Sequence, residues 1–131
     1  MQKRAGILFL SKNTGRILLI QEESKWTVPT FIRNTTVLED CQSVFDDFTE
    51  GKILPIELYV SQDKGFEYGT FVCLVNEEFT KTSAKTICWA SMNDLPKNIH
   101  TGLKTTLNSD ITKTKLDTIL VLINDTTNTE Q

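Results

Sequence analysis

The sequence predicts an α+β fold, a mixed β-sheet with helices packed against it. Three observations carry this. The elements run hairpin, helix, several strands, then helices, which is neither a regular βαβα alternation nor an all-β pattern. The apolar run Ala5–Leu10, a polar turn and a second apolar run Ile17–Ile20 read as two buried strands of one hairpin. One stretch, Cys41, Val44, Phe45 and Phe48, repeats at helical spacing behind a capping signal.

The elements follow in order. Ala5–Leu10 is predicted as a buried strand. Lys12-Asn13-Thr14-Gly15 is the turn, in which Gly15 can take positive φ. Arg16–Gln21 is the return strand. Trp26-Thr27-Val28-Pro29 is a short extended piece ended by a residue that cannot donate to a ladder. Thr36-Val37-Leu38-Glu39 has capping-box spacing and opens a helix that Gly51 is expected to stop. Its polar side carries Glu39, Ser43, Asp46, Asp47 and Glu50. Ile56–Val60 and Phe66–Val75 form a second predicted hairpin around Asp63-Lys64-Gly65, and Thr86–Ala90 is a further strand. Asn93-Asp94-Leu95-Pro96 is a turn. Ile99, Leu103 and Leu107 mark one helix. Leu116, Ile119, Leu120 and Ile123 mark a last one, starting near Asp110 or Thr112. Residues 1–123 are read as a single domain and the polar end, 124–131, as a disordered tail.

Composition narrows the function. The chain has 131 residues, 39% hydrophobic and 24% charged, enough for one domain with a real core. A net charge of -3 argues against nucleic acid as a partner and against a polybasic membrane surface. No apolar run is long enough to cross a bilayer, and the start is read as carrying no signal peptide. Cys41, Cys73 and Cys88 are odd in number and far apart, each among apolar neighbours. They read as buried thiols in a reducing cytoplasm.

Two strings carry a family resemblance. Ala5–Leu10, Thr14–Ile20 and Trp26-Thr27-Val28-Pro29 resemble the opening hairpin of the Nudix superfamily and the Trp-x-Leu-Pro that leads into its catalytic loop. Cys88–Pro96 followed by Ile99-His100-Thr101-Gly102 is similar to the family's late strand, its Leu-Pro turn and its terminal helix. The resemblance covers Ala5 to Ser109. It implies an α/β/α sandwich and hydrolysis of nucleoside diphosphates linked to another moiety. The family's box, G-x5-E-x7-R-E-U-x-E-E-x-G-U with U a bulky aliphatic, places helical glutamates on Mg²⁺, and the metal activates the attacking water.

This chain departs from that box. Thr30 and Phe31 stand where Gly-Gly is expected. With Phe48 at the buried aliphatic and one extra loop residue, Asp46 takes the arginine's place. Asp47 and Glu50 take two glutamate places, and Gly51 stands at the last glutamate, so the arginine and both glycines are lost and at most two of three helical carboxylates survive. Single losses from a catalytic constellation typically cost on the order of 10²–10⁴ in rate. The chain therefore reads as a degenerate Nudix-like domain, leaning away from an enzyme.

Three functions follow. The leading one is binding, of a nucleotide-like small molecule or of a protein partner, with Phe31, Arg33 and Trp26 as candidate contacts and no cofactor expected. The second is a divergent Mg-dependent hydrolase of nucleoside diphosphate derivatives. Its residual catalytic candidates are Asp47 and Glu50, its metal candidates Asp46, Asp47 and Glu50, with a further carboxylate from Glu57 or Glu67. The third is an accessory or modulator protein of phage type with no ligand. Usage rich in Thr, Lys and Asn, with alanine only at Ala5, Ala84 and Ala90, fits an AT-rich genome. The expected location is the cytoplasm, the host's if phage-encoded. Lys3, Arg4, Arg16, Lys25 and Arg33 could surround a phosphate. Trp26 and Trp89 read first as core residues. His100, the single histidine, reads as a structural or surface residue.

Overall fold

The structure is a computed structural model that describes residues 2–80 and 86–129, and the side chains of all of these except 63 and 123–129. Strand β1 (Gln2–Ser11) is the centre of the sheet. It lies parallel to β6 (Phe66–Val75) in unbroken register from Gln2 opposite Phe66 to Ser11 opposite Val75. β6 in turn pairs antiparallel with β5 (Pro55–Asp63), an edge strand with a bulge between Glu57 and Tyr59. A strand covered on both faces needs no polar side, which is why Ala5–Leu10 is apolar throughout. Successive side chains still alternate: Ala5, Ile7 and Phe9 face one helical layer, Leu8 and Leu10 the other.

β1 and β2 (Ile17–Glu22) form the predicted hairpin, joined where Leu10 faces Ile17, with Gly15 at φ 73°. They then splay. β3 (Lys25–Thr27) pairs with β2 and β4 (Thr30–Ile32) with β1, so the segment Lys25–Ile32 wedges between them. Pro29 sits between the two short strands, where its carbonyl accepts from the Ile7 N–H at 3.0 Å. β7 (Ile87–Ala90) covers the other side of β2. The result is a seven-stranded mixed sheet among the described residues.

Helix α1 (Val37–Asp46) covers one face. Thr36 caps it, its hydroxyl accepting from the Glu39 N–H at 3.2 Å. Beneath it the rings of Phe9, Phe45, Phe48, Phe79 and Trp89 pack at centroid distances of 5.1–6.1 Å. The Trp89 indole also donates to the Phe79 carbonyl at 2.9 Å, in line with the core reading of this tryptophan. Cys41 and Cys73 are fully buried in the same layer, where the hydrogen bond Cys73 donates to Cys41, together with burial, pushes the Cys73 thiol up. Cys88 departs from the prediction: it is only half-buried, on the opposite layer.

The sequence places the end of α1 at Gly51; the helix stops at Asp46. The last turn tightens, with the Asp47 N–H donating to Val44 and the Phe48 N–H to Phe45. Two acidic residues at a helix C-terminus oppose its dipole. The Gln42 side chain takes over the cap, donating to the Gly51 carbonyl at 2.8 Å and accepting from the Ile53 N–H at 3.2 Å.

The second face carries α2 (Thr101–Leu107) and α3 (Asp110–Thr129), which bury Leu103, Leu107 and Leu116 against Leu8, Leu10, Leu58 and Val72. Ile99 lies outside the helix it was expected to mark. His100 caps α2 instead, its Nδ1 accepting from the Gly102 N–H at 3.1 Å, while Ile99 bridges to Trp26. α3 starts at Asp110 as predicted, and its backbone runs through 124–129, into the stretch read as tail; residues 130 and 131 lie outside the described residues.

Candidate functional site

At the Arg4 end of the central strands the second face of the sheet changes character. Along β1 the alternation Leu10, Leu8 continues as Gly6 and Arg4. Along β6, Val72 gives way to Thr70 and Tyr68. Along β5, Tyr59 and Ser61 lie opposite them. The helix above is the seven-residue α2, too short to fill the space. A cavity of about 530 Å³ remains, within the range of small-molecule sites. Arg4, Tyr59 and Tyr68 line it on the sheet side, with His100, Leu103 and Thr106 on the α2 side.

Gly6 makes room on the floor. A Cβ there would sit 2.5 Å from the Tyr68 Oη and 3.2 Å from Val28 Cγ2, so only glycine lets the Tyr68 ring lie across the strand. Burial pushes the Tyr68 phenol up, against the pull of the nearby Arg4 charge, and it stays a hydroxyl at neutral pH. Arg4 is half-buried, and its guanidinium makes no hydrogen bond or ion pair among the described residues. The other two arginines are committed. Arg16 forms a two-bond pair with Glu78, its Nε donating at 2.6 Å, and Arg33 Nε donates to Asp40 at 3.2 Å. The cavity thus offers one guanidinium, two phenols and several hydroxyls.

The residues singled out in the sequence lie elsewhere. Arg33 is part of a clamp around Asp40. That carboxylate also accepts from the Thr35 hydroxyl at 2.7 Å and from the N–H groups of Asn34 and Thr35, both at 3.1 Å. Burial pushes Asp40 up, but these bonds outweigh it and hold the carboxyl below its ordinary value. Phe31 packs half-buried against the α1 layer, and Trp26 against the α2 layer beside Ile99. Of the five scattered cations, Arg4 alone lines the cavity.

Asp46, Asp47 and Glu50 are exposed at the far end of α1. Because the helix ends at Asp46, Asp47 and Glu50 do not share a helical face. Asp46 accepts from Gln42 at 3.0 Å. Glu50 lines a separate groove of about 880 Å³ with Lys12, Leu54 and Phe79. Glu67 accepts from Gln62 at 2.9 Å. Lys12, which shares the groove with Glu50, lies eight residues from Arg4 in sequence, roughly 25 Å at strand rise, so Glu50 and the cavity occupy opposite ends of the sheet. Among the described residues no group of three or more His, Cys, Asp or Glu is placed to hold a metal, so this donor set does not fit the Mg²⁺ that the resemblance implies. No described helix is long and apolar enough to cross a membrane.

Sequence reasoning missed the cavity because its signal is an interruption. Gly6 and Arg4 break the apolar alternation of β1, and Tyr68 and Thr70 break that of β6, but only the register shows that these breaks adjoin.

Comparison with solved structures places this arrangement in a known fold. A Nudix hydrolase family member from Chromobacterium violaceum superposes with TM-score 0.70 at 13% identity, covering 99% of this chain and 95% of that one. An ADP-ribose pyrophosphatase from Streptococcus suis gives 0.63 at 15% identity, covering 89% and 90%. A chain of the complex between the C-terminal domain of mouse MUTYH and human PCNA gives 0.62 at 11% identity, covering 81% and 84%. No protein-family model and no curated protein matches the sequence. The mixed sheet flanked by helices in this chain matches the Nudix fold.

Proposed function

We propose that this Nudix-fold domain, residues 1–123 with the polar end as an appendage, acts by binding a nucleotide-like small molecule between the sheet and α2, and that it has lost Nudix-type hydrolysis. One observation carries the reading. The face that should be filled by apolar side chains instead presents Arg4, Tyr59, Tyr68 and Thr70 around a cavity of about 530 Å³, with Gly6 beneath the Tyr68 ring. The loss of hydrolysis is supported by the carboxylates. Asp46, Asp47 and Glu50 are exposed and do not line the cavity, no described group of three carboxylates is placed to hold a metal, and Asp40 is engaged by its own loop. Removing water, binding and orienting a ligand are within the reach of these residues; activating a nucleophile through a metal is not.

Thermal shift across a panel of nucleosides and nucleotides tests the reading, because a ligand that prefers the folded state raises its apparent stability. Stabilisation by at least one compound, without Mg²⁺-dependent turnover of any diphosphate derivative, is the expected result. Turnover that disappears in Asp47→Asn with Glu50→Gln would establish the hydrolase instead.

A protein partner is the second reading. It is favoured by Ile32 and Leu38, 49% and 46% exposed in the segment that enters α1, and by the likeness to a chain of a two-protein complex. Ile32→Asp with Leu38→Asp would abolish a partner's binding and leave a ligand-induced thermal shift intact.

A further inference from the structure

We propose that Arg4 holds the anionic group of the ligand, and that the cavity takes a nucleoside monophosphate in preference to a diphosphate-linked nucleoside. The inference rests on the binding reading above and narrows it to a class. Of the three arginines, Arg16 and Arg33 are each neutralised by a carboxylate, whereas Arg4 lines the cavity with no ion pair among the described residues. A half-buried guanidinium facing a hydroxyl-rich space is suited to a phosphate, which it can engage through two parallel N–H donors. Thr30, Ser61, Thr70, Thr105 and Thr106 supply hydroxyls at the scale of a ribose and its phosphate oxygens. Tyr59 and Tyr68 supply the apolar, aromatic wall that a planar base requires.

Charge sets the upper limit. Among the described residues on the lining, Arg4 is the one Lys or Arg and Glu22 the one Asp or Glu. A second phosphate adds negative charge that no further Lys or Arg among the described lining residues offsets. The divalent ion that would normally neutralise it finds no cluster of three or more His, Cys, Asp or Glu among the described residues. A single phosphate can pair with the Arg4 guanidinium; the second phosphate of a pyrophosphate meets no further described cation.

The test is calorimetric titration of the full chain with the four ribonucleosides, their 5′-monophosphates and their 5′-diphosphates, the last with and without Mg²⁺. For the base that binds, the monophosphate should bind at least about tenfold tighter than its nucleoside, and the diphosphate no tighter than the monophosphate. Arg4→Ala should lower monophosphate affinity to that of the nucleoside and leave the nucleoside unchanged; Arg4→Lys should retain part of the difference. A diphosphate that binds about tenfold tighter than its monophosphate overturns the inference. So does an unchanged monophosphate-to-nucleoside ratio in Arg4→Ala, in protein with the wild-type circular dichroism. The wild-type ratios decide the matter even where a variant fails to fold. If nucleosides bind and phosphate adds nothing, this inference falls and the binding reading stands; if no compound binds, both fall.

Discussion

Removing the Asp40 carboxylate should loosen the entry to α1 by a predictable amount. Four donors converge on it: the Thr35 hydroxyl at 2.7 Å, the N–H groups of Asn34 and Thr35 at 3.1 Å, and Arg33 Nε at 3.2 Å. Hydrogen bonds to a charged group are worth about 1.5–3 kcal/mol each, but they do not sum here. Asn34 and Thr35 are exposed, so water replaces Asp40 for three of the four donors. Alanine also raises helix propensity by about 0.5 kcal/mol. Asp40→Ala should therefore cost about 2–3 kcal/mol, read in urea as a lower midpoint with unchanged slope. The carboxyl sits below its ordinary value in the folded state, so the unfolded chain binds its proton more readily. The stabilisation is then complete above the unfolded value of about 3.9 and is lost as pH falls through the lower folded value. Asp40→Asn should flatten that acid limb. A cost below about 0.5 kcal/mol, with the acid limb unaltered, would refute the clamp as a stabilising element.

Three further predictions follow from buried groups. Gly6→Ala should drive Tyr68 off the strand, destabilise the protein by about 1–3 kcal/mol and abolish ligand-induced thermal stabilisation. Tyr68→Phe, which removes the clashing oxygen, should recover part of the loss in a double-mutant cycle; strict additivity would contradict the geometry. Thr112 is fully buried with a hydroxyl that finds no partner among the described residues, so Thr112→Val should raise stability by about 1 kcal/mol, and a loss would show that the hydroxyl is satisfied. Trp89→Phe keeps an aromatic ring against Phe79 but deletes the bond to its carbonyl; equilibrium unfolding should register a loss of about 1–2 kcal/mol, and no change would mean the bond adds nothing.

Much of the fold was legible. Both long hairpins were announced by apolar runs around Gly15 and Gly65, each at positive φ, and Thr36 capped α1 as its spacing required. What was not legible has physical reasons. The β2–β3 turn uses Glu23 and Ser24 at φ 49° and 68°, residues that do not advertise a left-handed turn, and this hid the hairpin that starts the wedge. The end of α1 was set by a tertiary contact, the Gln42 amide reaching 51–53, which overrode Gly51 as the stop signal. The carboxylates Asp46, Asp47 and Glu50 were assigned to one helical face, and that assignment failed with the helix that was to carry them. Arg33 looked free and is held by Asp40, seven residues on. Arg4 looked like one cation among five, and only the register with Tyr68 shows where it stands.

The most direct measurement is a backbone amide NMR titration of the full chain with the ribonucleoside monophosphates in the absence of metal. The account predicts saturable shifts at Arg4, Gly6, Tyr68, Thr70 and Gly102, around one cavity on the α2 side. Shifts centred on Asp46, Asp47 and Glu50 that need Mg²⁺ would contradict it.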